Sequence, residues 1–355
     1  YPETGVPTAL HRSVEETMQT FGVPGMAVVA VSGRRREERL FVGSDRVGRP
    51  ITAESIFPVA SITKLATALA VLRLVDRRML ALDDPLVLHL PTAAAAVDGV
   101  TIRKLLAHTS GLPLDLSDAD ALYTPALNWP TLAQACLRAS LQWPPDTRVQ
   151  YSNVGYGLLA IIVEDKTGQV FSEALANLVL GPLGIEGYLG VEPPRPPAVV
   201  TDVRSADTGT PLEPYNSAFW RALALPWAGL LTTADGALAL VRAFCGVPPD
   251  FLRQATRAEA TRNQVGSLGG GLGGPLLWPH CPWGLGPELR NAKTPHWAPP
   301  QASPDSFGHA GASGSVVWAD PSRDVAWAIL GTRTAENGWL VRRGPVLGAV
   351  MLGDA

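Results

Sequence analysis

The sequence predicts an α/β (α+β) protein in which both ends of the chain build one body and a mostly helical domain is inserted between them. Three observations lead to this prediction. Apolar β-type runs occur near both ends, each pair separated by a turn, and the long region between them has mainly helical spacing. No internal repeat is present. Strands, then helices, then strands again indicate a sheet assembled from distant segments.

At the amino-terminal end, a helix precedes a β-hairpin. Residues 13–21 are polar with apolar positions at helical spacing and predict an amphipathic helix. A valine-rich run at residues 23–31 is separated by a basic turn from a second apolar run at residues 40–42, which predicts two paired strands. Residues 57–80 are apolar nearly all round and predict a long buried helix, entered through Ser61.

The middle of the chain contains five segments with helical spacing and a capping residue near one end, which predicts helices. They are residues 101–107, 131–141, 155–167, 170–179 and 233–244. Residues 193–197 and 266–300 are rich in proline and glycine, so we expect loops or short strands there.

The carboxyl-terminal end returns to β-type sequence. Residues 315–319 and 325–331 flank an Asp-Pro-Ser-Arg turn and predict a second hairpin. Residues 338–352 predict a closing helix that Gly344 and Pro345 interrupt.

These elements divide the chain into two domains. Residues 1–80 and 285–355 form the predicted α/β body, and residues 81–284 form the mostly helical insertion with the loops that set specificity. The predicted helix that starts at Ser61 lies at the junction of the two.

Composition restricts the possible functions. The chain has 355 residues, 46% hydrophobic and 17% charged, which predicts a compact globular protein. A formal net charge of −3 and a pI near 6.1 give no basic surface for phosphate groups, so we expect no nucleic-acid partner. The six histidines and three cysteines lack the spacing of metal ligands, so we expect neither a metal nor a cofactor.

The cysteines and the apolar runs bear on the compartment. Cys136, Cys245 and Cys281 stand far apart, so that one disulfide is possible and three buried thiols are the plainest interpretation. No apolar run reaches the roughly 18 residues of a membrane span. We expect that a signal peptide is either absent or already removed, which leaves the localisation open.

Ser61 and Lys64 stand three residues apart at the entry to the predicted buried helix, so their side chains share one helical face. A hydroxyl becomes an effective nucleophile when a neighbouring base takes its proton. Lysine titrates at about 10.4 and acts as a base where burial or nearby positive charge lowers its pKa. Alone, the same spacing also fits a helix-entry serine and a lysine that reaches solvent.

Two other segments place polar side chains among small or turn-forming residues. Tyr151-Ser152-Asn153 follows a proline-rich turn and either presents a phenol and an amide to a cleft or anchors the turn. His309 lies in a run of glycine, alanine and serine at the start of a strand, where a ligand can approach the backbone closely. Each segment alone favours a structural role, but the three patterns in this order indicate a catalytic site.

With these patterns the chain resembles the penicillin-recognising serine hydrolases. The branch it resembles holds class C β-lactamases, DD-peptidases, D-amino-acid peptidases and the related family VIII esterases. The matches are Ser61-Ile62-Thr63-Lys64, Tyr151-Ser152-Asn153, and His309-Ala310-Gly311 in the place of Lys/His-Thr-Gly, with similar stretches at residues 108–113, 228–230 and 283–286. The resemblance implies a β-lactamase/transpeptidase-like fold, with an antiparallel sheet flanked by helices and an inserted, mostly helical domain.

The resemblance also implies catalytic roles for three residues. Ser61 would attack a carbonyl, while Lys64 and Tyr151 would remove its proton and later deliver one to the leaving group. Which of the two acts first stays open at this point. The stretch that begins at His108 is assigned to structure.

Further residues would bind the substrate. Asn153 would hold a substrate amide, and His309 would donate to Tyr151 or to a substrate carboxylate. The backbone N–H groups of Ser61 and Ala312 would form an oxyanion hole, with Gly311 beside them, at on the order of 3 kcal/mol per donor.

Two departures from the pattern bear on the substrate. His309 stands where class C β-lactamases usually have lysine, and Ala310 stands where a hydroxyl residue is common. Because histidine titrates at about 6.5, its charge at neutral pH is open, and a fixed partner for a β-lactam carboxylate is missing. Efficient β-lactamase activity is therefore disfavoured.

The function that we expect is hydrolysis of a small ester or peptide-like amide through an acyl-enzyme. Acyl transfer to an amine, as in cyclising thioesterases of similar fold, and a penicillin-binding or sensing protein without turnover are alternatives. The sequence leaves the substrate and the oligomeric state open. Five aromatic residues could line an acyl pocket or pack the loops: Tyr215, Phe219, Trp220, Trp227 and Trp283.

Overall fold

The computed structural model describes residues 8–33, 36–119 and 121–353 and confirms the α/β fold class. Its strands are β1 (Gly25–Ser32), β2 (Arg36–Gly43), β3 (Phe57–Pro58), β4 (Val149–Gln150), β5 (Gly187–Tyr188), β6 (Leu231–Thr232), β7 (Gly270–Gly273), β8 (Leu276–Trp278), β9 (Glu288–Leu289), β10 (Phe307–Gly311), β11 (Ser315–Asp320) and β12 (Val325–Gly331).

The helices are α1 (Ala9–Phe21), α2 (Thr63–Asp76), α3 (Leu86–His89), α4 (Ile102–Leu106), α5 (Trp129–Arg138), α6 (Asn153–Thr167), α7 (Phe171–Leu175), α8 (Ala218–Ala222), α9 (Ala234–Phe244), α10 (Gln254–Thr261) and α11 (Trp339–Leu352). A 3₁₀ turn at Ala60–Ile62 precedes α2, and a π-helical turn at Ala176–Leu180 continues α7.

The main sheet joins the two ends of the chain. Six strands run in the order β2-β1-β12-β11-β10-β9, and every neighbouring pair is antiparallel. Both predicted hairpins are confirmed: Val28 pairs with Leu40 in one and Trp318 with Trp327 in the other. The pairing of Val28 with Ile329 then connects the hairpins. The finer division into a body and an insertion stays a prediction.

Alternate residues of β1 enter different cores, as the period of a strand requires. Ala27 and Val29 belong to the larger core, which contains most of α2, α6 and α9. Met26 and Val28 belong to the smaller core on the other face, beneath α1 and α11. The sheet is therefore covered on both faces.

Two predicted helices differ from those observed. The long helix begins at Thr63, because Phe57 and Pro58 instead pair with β6. The predicted interruption of the last helix is wrong, since α11 runs through Gly344 and Pro345. Buried side chains hold both halves of α11 in place, and Gly344 lies so close to the Trp297 backbone that a Cβ would come within 2.6 Å of its carbonyl oxygen.

The three cysteines are free, and the expectation that all are buried is wrong for one of them. Cys136 and Cys281 are buried, whereas Cys245 is exposed where α9 ends. In the described part of the chain, no helix combines the length and apolar character needed to cross a bilayer.

Candidate active site

Ser61 lies in a strained turn that leads into the buried helix α2. Ala60, directly before it, has a φ of 43°, a left-handed conformation that is uncommon for a residue with a Cβ and clusters at functional sites. Twelve of the fourteen residues of α2 are buried, so the turn is mounted on a rigid element. Ser61 itself is partly exposed and lines a cavity of about 400 Å³.

Lys64 points to Ser61 from the first turn of α2 and is completely buried. Its Nζ lies 3.4 Å from Ser61 Oγ, 2.6 Å from Asn153 Oδ1 and 3.1 Å from the carbonyl oxygen of Trp227. Burial lowers the pKa of Lys64 well below its ordinary value, against the opposing charge of Asp115. In its neutral form the amine can donate to the two carbonyl oxygens and keep its lone pair for the Ser61 hydroxyl.

Tyr151 also lies next to the Lys64 amine. It is 4% exposed, and Lys64 Nζ lies 4.5 Å from the centre of its ring. The buried Tyr151 Oη has no hydrogen-bond partner of good geometry among the described residues. Burial raises the pKa of Tyr151 well above its ordinary value, although the nearby Ser61 hydroxyl opposes this rise. Tyr151 is therefore a protonated phenol whose O–H lies near the Ser61 hydroxyl.

Asn153 is held at both ends of its amide by the protein. Its Oδ1 accepts from Lys64, and its Nδ2 donates to Asp115 Oδ1 at 2.7 Å. Asp115, which no sequence pattern marked, is exposed and lines the cavity. A single acid in a loop carries no signal of its own, but its position two residues beyond the 108–113 stretch could have directed attention to it.

His309 lies at the centre of β10, where it is 2% exposed and outside the cavity lining, with its ring centre 5.9 Å from that of Tyr151. Its Nδ1 lies 2.7 Å from the carbonyl oxygen of Ala310, which can only accept, so Nδ1 carries the proton. Burial and the charge of Lys64 lower the pKa of His309 to about 4. The ring is thus neutral at neutral pH, and its buried Nε2 is an acceptor. The expectation that His309 donates to Tyr151 or to a carboxylate does not fit this tautomer.

Gly311 and Ala312 bring the end of β10 beside the nucleophile. A Cβ on Gly311 would lie 2.2 Å from the carbonyl oxygen of Val59, so only glycine permits this approach. The hydroxyl of Ser315 donates to the same carbonyl oxygen at 3.2 Å. Ala312 then lines the same cavity as Ser61, which places both predicted oxyanion-hole residues at one opening.

Both apolar and acidic residues line the cavity. Its apolar lining includes Leu127, Leu132, Leu225, Tyr215, Trp220 and Trp227. Asp115 and Asp118 also line it, whereas no arginine or lysine of the described residues does. Of the five aromatic residues left open by the sequence, Phe219 instead packs on Tyr123, and Trp283 is fully buried.

The chain is similar to known proteins over most of its length. A family profile described as Beta-lactamase matches residues 10–346. Penicillin-binding protein 4 of Amycolatopsis lactamdurans is 32% identical over 255 residues, which are 68% of this chain and 66% of that protein. The D-alanyl-D-alanine-carboxypeptidase/endopeptidase AmpH of Escherichia coli (strain K12) is 30% identical over 174 residues, 46% of this chain and 45% of its own length.

A solved structure is similar over nearly the whole chain. The β-lactamase of Mycobacterium bovis superimposes with a TM-score of 0.68 at 27% identity, covering 96% of this chain and 98% of that one. The matches to the two curated relatives, in contrast, span less than two thirds of the length of either.

Proposed function

Because the chain belongs to the β-lactamase family, we propose that it is a serine hydrolase that forms an acyl-enzyme on Ser61 with an ester or a peptide-like amide. One observation carries this proposal. Lys64, buried and without an ion pair among the described residues, contacts the hydroxyl of a partly exposed serine that lines a cavity. Burying a lysine without an ion pair costs free energy. A base beside a nucleophile is a function that accounts for such a residue.

In acylation, Lys64 is the base and Tyr151 the acid. Ser61 Oγ attacks the substrate carbonyl carbon while its proton passes to the lone pair of Lys64. The backbone N–H groups of Ser61 and Ala312 stabilise the negative oxygen. When the bond to the leaving group breaks, the Tyr151 phenol gives it a proton. The ammonium of Lys64, adjacent to the Tyr151 ring, then returns a proton to the phenolate.

Deacylation reverses these proton movements. Water enters through the cavity mouth and attacks the acyl carbon, and its proton passes to Lys64. As the bond between the acyl carbon and Ser61 Oγ breaks, the Tyr151 phenol protonates Oγ, the Lys64 ammonium returns a proton to the phenolate, and the free acid leaves. Ser61 is partly exposed in the cavity. This exposure supports hydrolysis by water over transfer of the acyl group to an amine substrate.

The charges around the cavity support a choice among substrates. Asp115 and Asp118 repel a carboxylate, and neutral His309 offers it no ion pair. The apolar lining suits an acyl group with an aliphatic or aromatic side chain. We therefore rank uncharged esters and amides with a free amino group above β-lactams. The activity named for AmpH supports D-amino-acid peptides as the amide class.

Substrate profiling tests the proposal. Wild type is assayed with p-nitrophenyl esters, D-alanyl p-nitroanilides and nitrocefin, with Ser61→Ala as the inactive control. We expect multiple turnovers of an ester or anilide and little hydrolysis of nitrocefin. A single burst without turnover would instead indicate a penicillin-binding or sensing protein. Products that appear only after addition of an amine acceptor would indicate an acyl transferase.

A further inference from the structure

We infer that His108 is a positioning residue that holds Tyr151 at the reaction centre by bonding the chain on both sides of it. His108 follows α4 and is completely buried. Its φ of 59° is left-handed, which turns the chain sharply towards the Tyr151 loop. Nothing in the proposed chemistry uses its ring directly.

Two hydrogen bonds enclose Tyr151. The N–H of Gln150 donates to the His108 carbonyl oxygen at 2.8 Å, and the N–H of Ser152 donates to His108 Nδ1 at 3.1 Å. The residues on either side of Tyr151 are thus both bonded to His108 through their N–H groups. The N–H of Tyr151 itself is taken by the Gly271 carbonyl oxygen at 3.2 Å. These bonds leave the Tyr151 backbone little freedom.

The ring of His108 supports the side chain of Tyr151 as well. The two ring centres are 4.5 Å apart at an interplanar angle of 37°. On its other sides the His108 ring contacts Tyr156 at 5.2 Å and the edge of Trp283 at 5.0 Å. Lys293 Nζ lies 4.9 Å from the Trp283 ring and is paired with buried Glu288 at 2.7 Å. His108 is therefore packed among the rings of Tyr151, Tyr156 and Trp283, and Trp283 in turn contacts the buried Lys293–Glu288 pair.

The state of the ring agrees with this role. Because Nδ1 accepts from Ser152, its lone pair must stay free of a proton. Burial and the charge of Lys64 lower the pKa of His108 well below its ordinary value, which keeps the ring neutral. Its contact with Ser152 is consequently maintained wherever Lys64 and Tyr151 work.

A matched pair of variants separates positioning from packing. His108→Asn and His108→Gly both tolerate the left-handed backbone and both empty part of the ring site. Asparagine Oδ1 can take the place of Nδ1 as an acceptor for the Ser152 N–H, whereas glycine cannot. The assay is turnover of an activated p-nitrophenyl ester, so the test rests on the proposed hydrolase function.

We expect His108→Gly to lower kcat by about 10- to 100-fold with little change in KM, as a catalytic group displaced by about 1 Å does. The kcat of His108→Asn should be much closer to that of wild type. In a Tyr151→Phe background, His108→Gly should lower kcat by less than about threefold, because the phenol hydroxyl that His108 positions is already absent. Labelling of Ser61 by a fluorophosphonate gives a second rate where turnover is too slow to measure.

The inference would be overturned if His108→Gly lowered kcat equally in the wild-type and Tyr151→Phe backgrounds. It would also be overturned if the kcat of His108→Asn were no higher than that of His108→Gly. Should His108→Gly fail to fold, His108→Gln replaces it, since its amide reaches the place of Nε2 and leaves Ser152 without an acceptor. Absence of any turnover in wild type would count against the proposed function, which is a different result from either of these.

Discussion

Asn153 Nδ2 donates to Asp115 Oδ1 across 2.7 Å, and this bond decides which way the Asn153 amide points. The amide oxygen therefore faces Lys64 at 2.6 Å. Asp115 thus orients the group that holds the base, and its charge also opposes the lowering of the Lys64 pKa by burial. The basicity of Lys64 is a balance between burial and one carboxylate at the cavity mouth.

Asp115→Asn should change both the pH profile and the choice of substrate. Without the carboxylate, the pKa of Lys64 falls further, so the acid limb of kcat/KM for a neutral ester should move to lower pH. The preference for D-alanine p-nitroanilide over its N-acetyl form should fall about 10-fold, the value of one charge-assisted hydrogen bond. Kinetics between pH 5 and 9 measure both effects.

The ratio of the two anilides is the decisive quantity, because any change in Lys64 affects both alike. Asp250→Asn removes an equal charge at an exposed position outside the cavity lining and should leave the ratio unchanged. A preference that persists in Asp115→Asn would show that Asp115 does not recognise the amino group.

Ser61→Ala should abolish covalent labelling. A fluorophosphonate should add once to wild type, at Ser61, because the Lys64 amine makes this hydroxyl the activated one. Intact-mass spectrometry and peptide mapping measure the adduct. Ser172→Ala, on α7 and outside the cavity lining, is the matched control and should label like wild type. Turnover retained in Ser61→Ala would rule out this nucleophile.

Lys64→Met should keep the fold and lose most of the acylation rate. Methionine has nearly the same length and fills the site without a charge to bury, while the base is gone. A general base contributes about 10²- to 10⁴-fold, which sets the expected fall in kcat/KM. Stopped-flow release of p-nitrophenol gives the acylation rate, and Lys104→Met, outside the cavity lining, serves as the control. A loss below about tenfold would transfer the role to Tyr151.

The sequence predicted those parts of the fold that have strong local periodicity. Both hairpins and the helices α4, α6 and α9 appear within a few residues of their expected bounds. Helices α3, α8 and α10 were missed, since short segments carry too little periodicity to be distinguished from loops. The start of α2 and the continuity of α11 depend on tertiary contacts of Pro58 and Gly344 that no local pattern contains.

The same limit applies to the candidate site. Ser61 and Lys64 are close in sequence, so their contact follows from helical geometry. The Trp227 carbonyl oxygen, which also accepts from Lys64, is a backbone atom 163 residues away and leaves no mark in the sequence. Likewise, His108 was assigned to structure because its bonds to the peptide groups around Tyr151 arise only when two loops meet.

Acid should destabilise the protein between about pH 6.5 and 4, where unfolded histidines bind protons. Burial lowers the pKa values of His108, His296 and His309 in the folded state, that of His309 to about 4. Their contribution to stability is therefore complete above the unfolded pKa and is lost as the pH falls. Urea unfolding at pH 7 and pH 4 measures the loss. His309→Gln should reduce this loss of stability by roughly 3 kcal/mol.

The neutrality of His309 leads to the last prediction, which concerns carboxylate-bearing substrates. With a pKa of about 4, His309 gains no charge between pH 6 and 9. Hydrolysis of nitrocefin should therefore stay slow throughout this range, and its KM should not improve towards pH 6. A histidine with its ordinary pKa of about 6.5 would instead strengthen carboxylate binding over the same interval. The neutral ester should be hydrolysed well near pH 8.

His309→Lys tests the cause of this difference. A lysine at this position adds a positive charge for the carboxylate, and charge-assisted hydrogen bonds are roughly twice as strong as neutral ones. The charge of Lys64 contributes to the lowered pKa of His309, so the two side chains interact. A positive charge at residue 309 should therefore lower the pKa of Lys64 further. We therefore expect a lower KM for nitrocefin together with an acid limb for the neutral ester that moves to lower pH. The measurement is kcat and KM for both substrates from pH 6 to 9 in wild type and in His309→Lys. Efficient nitrocefin hydrolysis by wild type at pH 8 would show that the missing charge at His309 does not limit the choice of substrate.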